Sequence, residues 1–157
     1  MVLVGEVPER ESLTRLANNL GVDLVTPGQS YDPDELAAVY ARTTVTVVPS
    51  VAGLTVLQSL KHGCPVITHD NEYEQAPEAE AIGRGVTGEL YHYGDVADLA
   101  RKIEKWSAIQ SSHPREPEEA CRTVLQESWT SSAHASLVRD TSENSLRGAR
   151  TTTPRGG

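Results

Sequence analysis

The sequence predicts a doubly wound, Rossmann-like α/β fold: a parallel sheet of about five strands with helices on both faces. Three observations lead there. Short apolar runs alternate with helix-spaced patterns along residues 1–129, as parallel strands joined by crossover helices require. The links between them are short and carry Pro, Gly and Asp at the positions that start and stop elements. Phe is absent and aromatics make up only 4% of the chain, so the core must rest on Val, Leu, Ile and Ala.

Taken in order, Val2–Val4 reads as the first strand. Leu13, Leu16, Ala17 and Leu20 then recur at helical spacing, and Gly21 ends that helix. Asp23–Thr26 is the second strand, followed by Pro27-Gly28. Asp32 caps the next helix, with Pro33 at its first position and Glu35 completing a capping box; its inward stripe is Leu36, Val39 and Tyr40. Val45–Val48 is a third strand. A turn at Pro49–Gly53 opens a helix running to Gly63, and Val66–Thr68 is the fourth strand. Loop 70–77 leads to a short helix near Glu78–Ile82 and a fifth strand at Glu89–His92. Asp95 caps a helix with Val96, Leu99, Ala100 and Ile103 inward, and a last helix runs from about Glu116 to Ser128. Trp106 and Trp129 are expected to pack helix ends against the sheet.

The pattern stops near Thr130. Residues 130–157 are rich in Ser, Thr, Arg and Gly and are expected to form a disordered, solvated tail. The organisation expected is therefore one domain, 1–129, and a tail, 130–157. The formal charge is −8, and the acidic excess lies in the domain, which disfavours a nucleic-acid surface. No run of apolar residues is long enough to span a bilayer, and Met1 leads directly into a strand-like segment without a secretory pattern. Cys64 and Cys121 lack CxxC or metal-ligand spacing and read as buried thiols in a reducing cytoplasm.

The stretch Val47–Asp70 carries the chemistry. Ligands of open parallel sheets sit beyond the carboxyl ends of the strands. The turn 50–53 follows a strand there, and the helix after it offers free amides and a positive dipole end to an anion. Gly53 lets a phosphate approach closely, and Thr55 adds a hydroxyl. Thr55, Gln58, Ser59 and His62 fall on one helix face, small and neutral, which suits ligand hydroxyls; Leu54, Leu57 and Leu60 are expected to pack on the sheet. Periodicity alone allows equally for an ordinary polar face.

Resemblance adds to this. The runs "VPSVAGLTVLQSLKHGCPVITHD" and "PEAEAIGRGVTGELYHYGDVADLARKIEKW" resemble the nucleotide-sugar-binding, carboxyl-terminal half of retaining GT-B glycosyltransferases of the group 1, family 4 type, nearest a polysaccharide-synthesis branch. Pro49-Ser50, Gly53-Leu54, Gly63-Cys64-Pro65-Val66-Ile67, Glu78, Gly85–Gly88 and Asp95 carry the likeness, which spans roughly residues 2–107. It implies that Ser50, Gly53, Leu54 and Thr55 receive the diphosphate of a nucleotide-diphosphate sugar. Gln58 faces the ribose, Pro27–Tyr31 with Gly28 lie near the base, and His69–Asn71 and Glu78 lie toward the sugar. Family members carry two glutamates where this chain has Ser50 and Gln58, and a cationic pair on an earlier strand and loop; the only local candidates are Arg42 and Lys61. The resemblance thus implies a donor-binding half whose transfer to a glycan or lipid-linked acceptor needs a separate chain supplying the amino-terminal domain. It implies no cofactor or metal and assigns no catalytic residue. The site would be cytoplasmic, held near a membrane through a partner.

Other readings stand beside this one. A truncated, non-catalytic interaction module would keep the fold and lose the chemistry. A sugar-nucleotide epimerase half shares the architecture. The five histidines, His62, His69, His92, His113 and His134, match no ligand spacing, and the acidic loop 70–80 lacks a calcium-loop pattern. Ser50 has no nucleophile elbow, and no GxGxxG follows the first strand.

Overall fold

A computed structural model of the chain describes residues 1–113 and 115–130. The five strands and the alternating helices expected are all present, and every strand pairing is parallel. The strands pair as a two-stranded and a three-stranded sheet, one in each of two compact units, Met1–Thr43 and Thr44 onward. The expected tail lies, from residue 131, outside the described residues.

The first unit comprises β1 (Val2–Val4), α1 (Arg10–Asn19), β2 (Val25–Gly28) and α2 (Pro33–Tyr40). β1 and β2 pair as Val2↔Val25 and Val4↔Gly28 with an irregularity between. Gly21 ends α1 as expected: its backbone turns left-handed, and the Val22 amide reaches back to Ala17 O at 2.8 Å. The stripe expected on α1 is not buried as a whole, however. Ala17 is buried, whereas Leu16 and Leu20 are more than half exposed, because a two-stranded sheet offers too little surface to cover them. Asp32 caps α2 through the amides of Asp34 and Glu35. The capping box closes indirectly: Glu35 accepts from the Ser30 hydroxyl at 2.5 Å, and the Asp32 amide donates to Ser30 Oγ.

The second unit holds β3 (Thr46–Val48), α3 (Leu54–Lys61), β4 (Val66–His69), 3₁₀ turns at Glu72–Glu74 and Pro77–Ala81, β5 (Gly88–Tyr91), α4 (Val96–Ser112) and α5 (Arg115–Ser128). The strand order is β3-β4-β5, in register Thr46↔Val66 and Val66↔Gly88. Central β4 is buried at all four residues, and its alternation feeds both faces. Val66 joins Ala52, Val56, Leu60, Ala81, Ile82 and Cys121 beneath α3 and α5. Ile67 points the other way, against Tyr91 and Trp106 of α4. Full burial of side chains such as Leu60, Ile67 and Val56 contributes about 1.5–3 kcal/mol each. Trp106 packs on the sheet from within α4 rather than from a helix end, Trp129 packs just beyond α5, and both cysteines are free and buried.

Two glycines make this layering possible. Gly63 follows α3 in the left-handed region, at φ +75°, and lets the Cys64 amide return to Ser59 O. A Cβ at Gly88 would stand 1.9 Å from the Val66 carbonyl oxygen, so only glycine lets β5 approach β4.

Candidate functional site

β3 ends at Val48, and Pro49 and Ser50 are exposed beyond it. The chain then dips inward at Ala52, which is fully buried, and turns into α3 at Gly53. Gly53 is the N-cap and brings no side chain to the helix start. Its own amide donates to Val51 O at 3.2 Å, and the Val56 amide donates to Gly53 O. Among the described residues no hydrogen bond uses the amides of Leu54 and Thr55. Two N–H groups therefore stand open at the positive end of the α3 dipole, beside the carboxyl edge of the sheet.

α3 is rotated relative to the sequence expectation. Leu54 does not pack on the sheet; it is 73% exposed. Ser59 does not share the open polar face, being fully buried, donating to Cys64 O at 2.9 Å and pairing with the Thr46 hydroxyl at 2.7 Å. The inward stripe is Val56, Ser59 and Leu60, which leaves exposed Leu54 and Thr55 and half-buried Gln58 on the outer side. Thr55 and Gln58, three apart, remain neighbours there. His62 closes the helix, and burial, with the charges of Lys61 and Arg122, pushes its pKa down.

Gln75 is the residue that sequence reasoning missed. Its Oε1 accepts the Ala52 amide at 2.8 Å, and its Nε2 donates to Thr68 Oγ1 at 3.0 Å and His69 O at 3.1 Å. The Thr68 hydroxyl in turn donates to Val48 O at 2.8 Å. Only the oddity of an amide side chain within an acidic loop hinted at it, since its bond to Ala52 spans 23 residues of chain.

His69 ends β4 with its ring 1% exposed. The Asn71 amide donates to Nδ1 at 3.3 Å, Gln75 Nε2 lies 3.1 Å from each ring nitrogen, and Tyr93 stands edge-on at 4.7 Å. Asp70 follows, accepting from the Tyr93 amide at 3.0 Å and meeting His92 Nδ1 at 3.3 Å. The Tyr93 amide holds its carboxyl below the usual carboxylate range. Glu78 is half-buried in the second 3₁₀ turn, with no hydrogen-bond or ion-pair partner among the described residues. Gly28 ends β2 in the first unit, at φ +95°. Lys61 sits at the opposite end of α3, roughly 12 Å of helix away, and Arg42 belongs to the first unit. No group of three or more His, Cys, Asp or Glu among the described residues is placed to hold a metal ion. No described helix is long and apolar enough to cross a membrane.

Parallel strands ending beneath an uncapped helix start are a Rossmann-like arrangement, and solved structures of the GT-B glycosyltransferase fold superpose on the chain. HepE of Anabaena, in complex with UDP, is 16% identical and matches 91% of this chain and 40% of its own, at a TM-score of 0.66. Sucrose-phosphate synthase of Thermosynechococcus elongatus is 24% identical, matching 94% of this chain and 38% of its own, also at 0.66. The lipopolysaccharide outer core galactosyltransferase WaaB, in its apo form, is 17% identical over 80% of this chain and 35% of its own, at 0.64. The chain thus spans between a third and two fifths of the length of these three proteins. No curated protein sequence matches. The family profile of group 1 glycosyl transferases matches residues 1–108, and the chain belongs to that family.

Proposed function

We propose that this chain is the donor-binding half of a retaining glycosyltransferase, which takes a nucleotide-diphosphate sugar by its diphosphate. The observation that carries this reading is the pair of open amides of Leu54 and Thr55 at the uncapped start of α3. Family membership and the UDP held by a structural neighbour support it. The Thr55 and Ser50 hydroxyls add donors, Gly53 keeps the approach clear, and Gln58 meets the ribose hydroxyls on the next turn. Glu78 faces the sugar hydroxyls with an unengaged carboxylate, and His69 supports the site from behind as a buried ring. When the bond from the sugar to the diphosphate breaks, negative charge grows on the leaving diphosphate. The amides and the helix dipole stabilise it in part. Transfer also needs an acceptor-binding domain and further cations. The two free thiols suit a reducing cytoplasmic setting.

A non-catalytic binding module is the second reading. It is favoured by Lys61 at the wrong end of α3 and by Gln58 offering a neutral group in place of a charged acceptor, whose hydrogen bond would be about twice as strong. Titration of the full chain with UDP, followed by amide chemical shifts, tests the first reading. Movement at Leu54–Gln58 in the millimolar range is expected, and still resonances there would remove it. Sugar transfer upon adding a co-expressed amino-terminal half separates the enzyme from the module.

A further inference from the structure

We infer that Gln75 is the positioning residue for this anion cradle, fixing the start of α3 against the carboxyl end of the sheet. The inference rests on the donor-binding reading and adds to it the residue that holds the cradle in place. Five atoms converge on one planar carboxamide; the two His69 ring nitrogens, each 3.1 Å from Nε2, take their roles from the tautomer, and the other three have fixed ones. The Ala52 amide can only donate, and it meets Oε1 at 2.8 Å. His69 O can only accept, and it meets Nε2 at 3.1 Å. Thr68 Oγ1 has already given its hydrogen to Val48 O, so toward Nε2 at 3.0 Å it too can only accept. The network therefore dictates which way the amide points, and no other orientation satisfies it.

Glutamine is the side chain this arrangement requires. A carboxylate at position 75 would keep the Ala52 bond but set its second oxygen against two acceptors. An apolar side chain would strand the amide of fully buried Ala52. Because Gln75 consumes that amide, the groups left open to an anion are those of Leu54 and Thr55. Gln75 also ends the 3₁₀ turn Glu72–Glu74, three residues before Glu78.

Gln75→Glu and Gln75→Leu in the full chain test this, with UDP as the probe. Near pH 4, where a glutamate facing acceptors is largely protonated, the carboxyl of the Gln75→Glu variant mimics the amide, its O–H replacing the Nε2 donor, and UDP affinity should match the native chain at the same pH. As pH rises to about 8 the introduced group ionises. UDP affinity should then fall about tenfold, and hydrogen exchange at the Ala52 amide should accelerate relative to the native chain at the same pH. Gln75→Leu should bind weakly at both pH values; should it not fold, Gln75→Glu decides alone, with its low-pH form as the folded control. Native-like UDP affinity at both pH values in Gln75→Glu would overturn the inference and leave the donor reading intact. Failure of the native chain to bind UDP would overturn both, and the native titration by itself tells the two failures apart.

Discussion

Lys105 Nζ donates to Glu89 Oε2 at 2.8 Å, and Lys102 Nζ stands 3.9 Å from the same oxygen. This places a nearly buried carboxylate on the α4-facing side of β5, one position before the Leu90 that packs on the other side. Burial pulls the Glu89 pKa up. The Lys105 hydrogen bond and the charges of Lys102 and Lys105 outweigh it, so the group titrates below the usual glutamate value.

A lowered native pKa means that the folded state binds the proton less readily than the unfolded chain. The pair's contribution is therefore present above the unfolded value of 4.5 and is lost as pH falls through the lower native value. Thermal melts between about pH 6 and pH 3 should show Glu89→Gln losing less stability on acidification than the native protein. Parallel slopes for the two would contradict the assignment.

Placing a carboxylate at the α3 N-cap should separate stability from ligand binding. A Cβ at Gly53 meets nothing within 4 Å, so Gly53→Asp has room to accept from the open amides at the start of α3. It should stabilise the fold by only a few tenths of a kcal/mol, glycine being itself a tolerated N-cap, and raise the melting temperature by about 1–2 °C. The same carboxylate occupies and repels the diphosphate position, so UDP affinity should fall by at least about tenfold. A variant that binds UDP as the native chain does would move the anion site elsewhere.

The close contacts of Gly63 and Gly88 predict two different penalties. At Gly88 the obstacle is backbone, the Val66 carbonyl, so Gly88→Ala should cost about 3 kcal/mol or more and disturb β5 pairing. At Gly63 an added Cβ would lie 2.4 Å from Glu118 Cγ, a side-chain atom, on top of the left-handed strain. Gly63→Ala should cost about 1–3 kcal/mol, and Glu118→Ala should recover part of it in a double-mutant cycle. Purely additive effects in chemical denaturation would show the contact to be unimportant.

Both thiols should resist modification in the native protein. Burial, with Glu118 nearby, pushes Cys64 to about 11, and burial pushes Cys121 to about 12. Thiolate is then scarce at pH 8 and shielded where present. An aromatic disulfide reagent should label neither cysteine until denaturant is added; rapid native labelling would refute this packing.

Much of the fold was legible in the sequence because its signals are local. Strand Val2–Val4 lies where its apolar run stands, and Asp32 and Asp95 cap their helices through bonds reaching two or three residues ahead. The outward turn of Leu54 and the inward turn of Ser59 were not legible. Which stripe of a short helix faces the sheet depends on partners such as Thr46 and Cys64 across the layer. The same holds for α1, where helical spacing promised a buried Leu16 and Leu20 that the small β1–β2 sheet does not cover. The uncapped start of α3 was readable as a turn and a helix start. Its brace was not, because Gln75 meets Ala52 across 23 residues of chain.

The thin interior of the first unit has a consequence for how the molecule comes apart. Among its described residues Ala17 alone is buried in the core, whereas the second unit packs two clusters around a strand with no exposed residue. Breathing motions should therefore begin in residues 1–43 while Val66–His69 stay locked. A protease offered the native chain should nibble from that end and leave a resistant remnant starting near Thr44, still carrying the helix start on which a sugar nucleotide would rest.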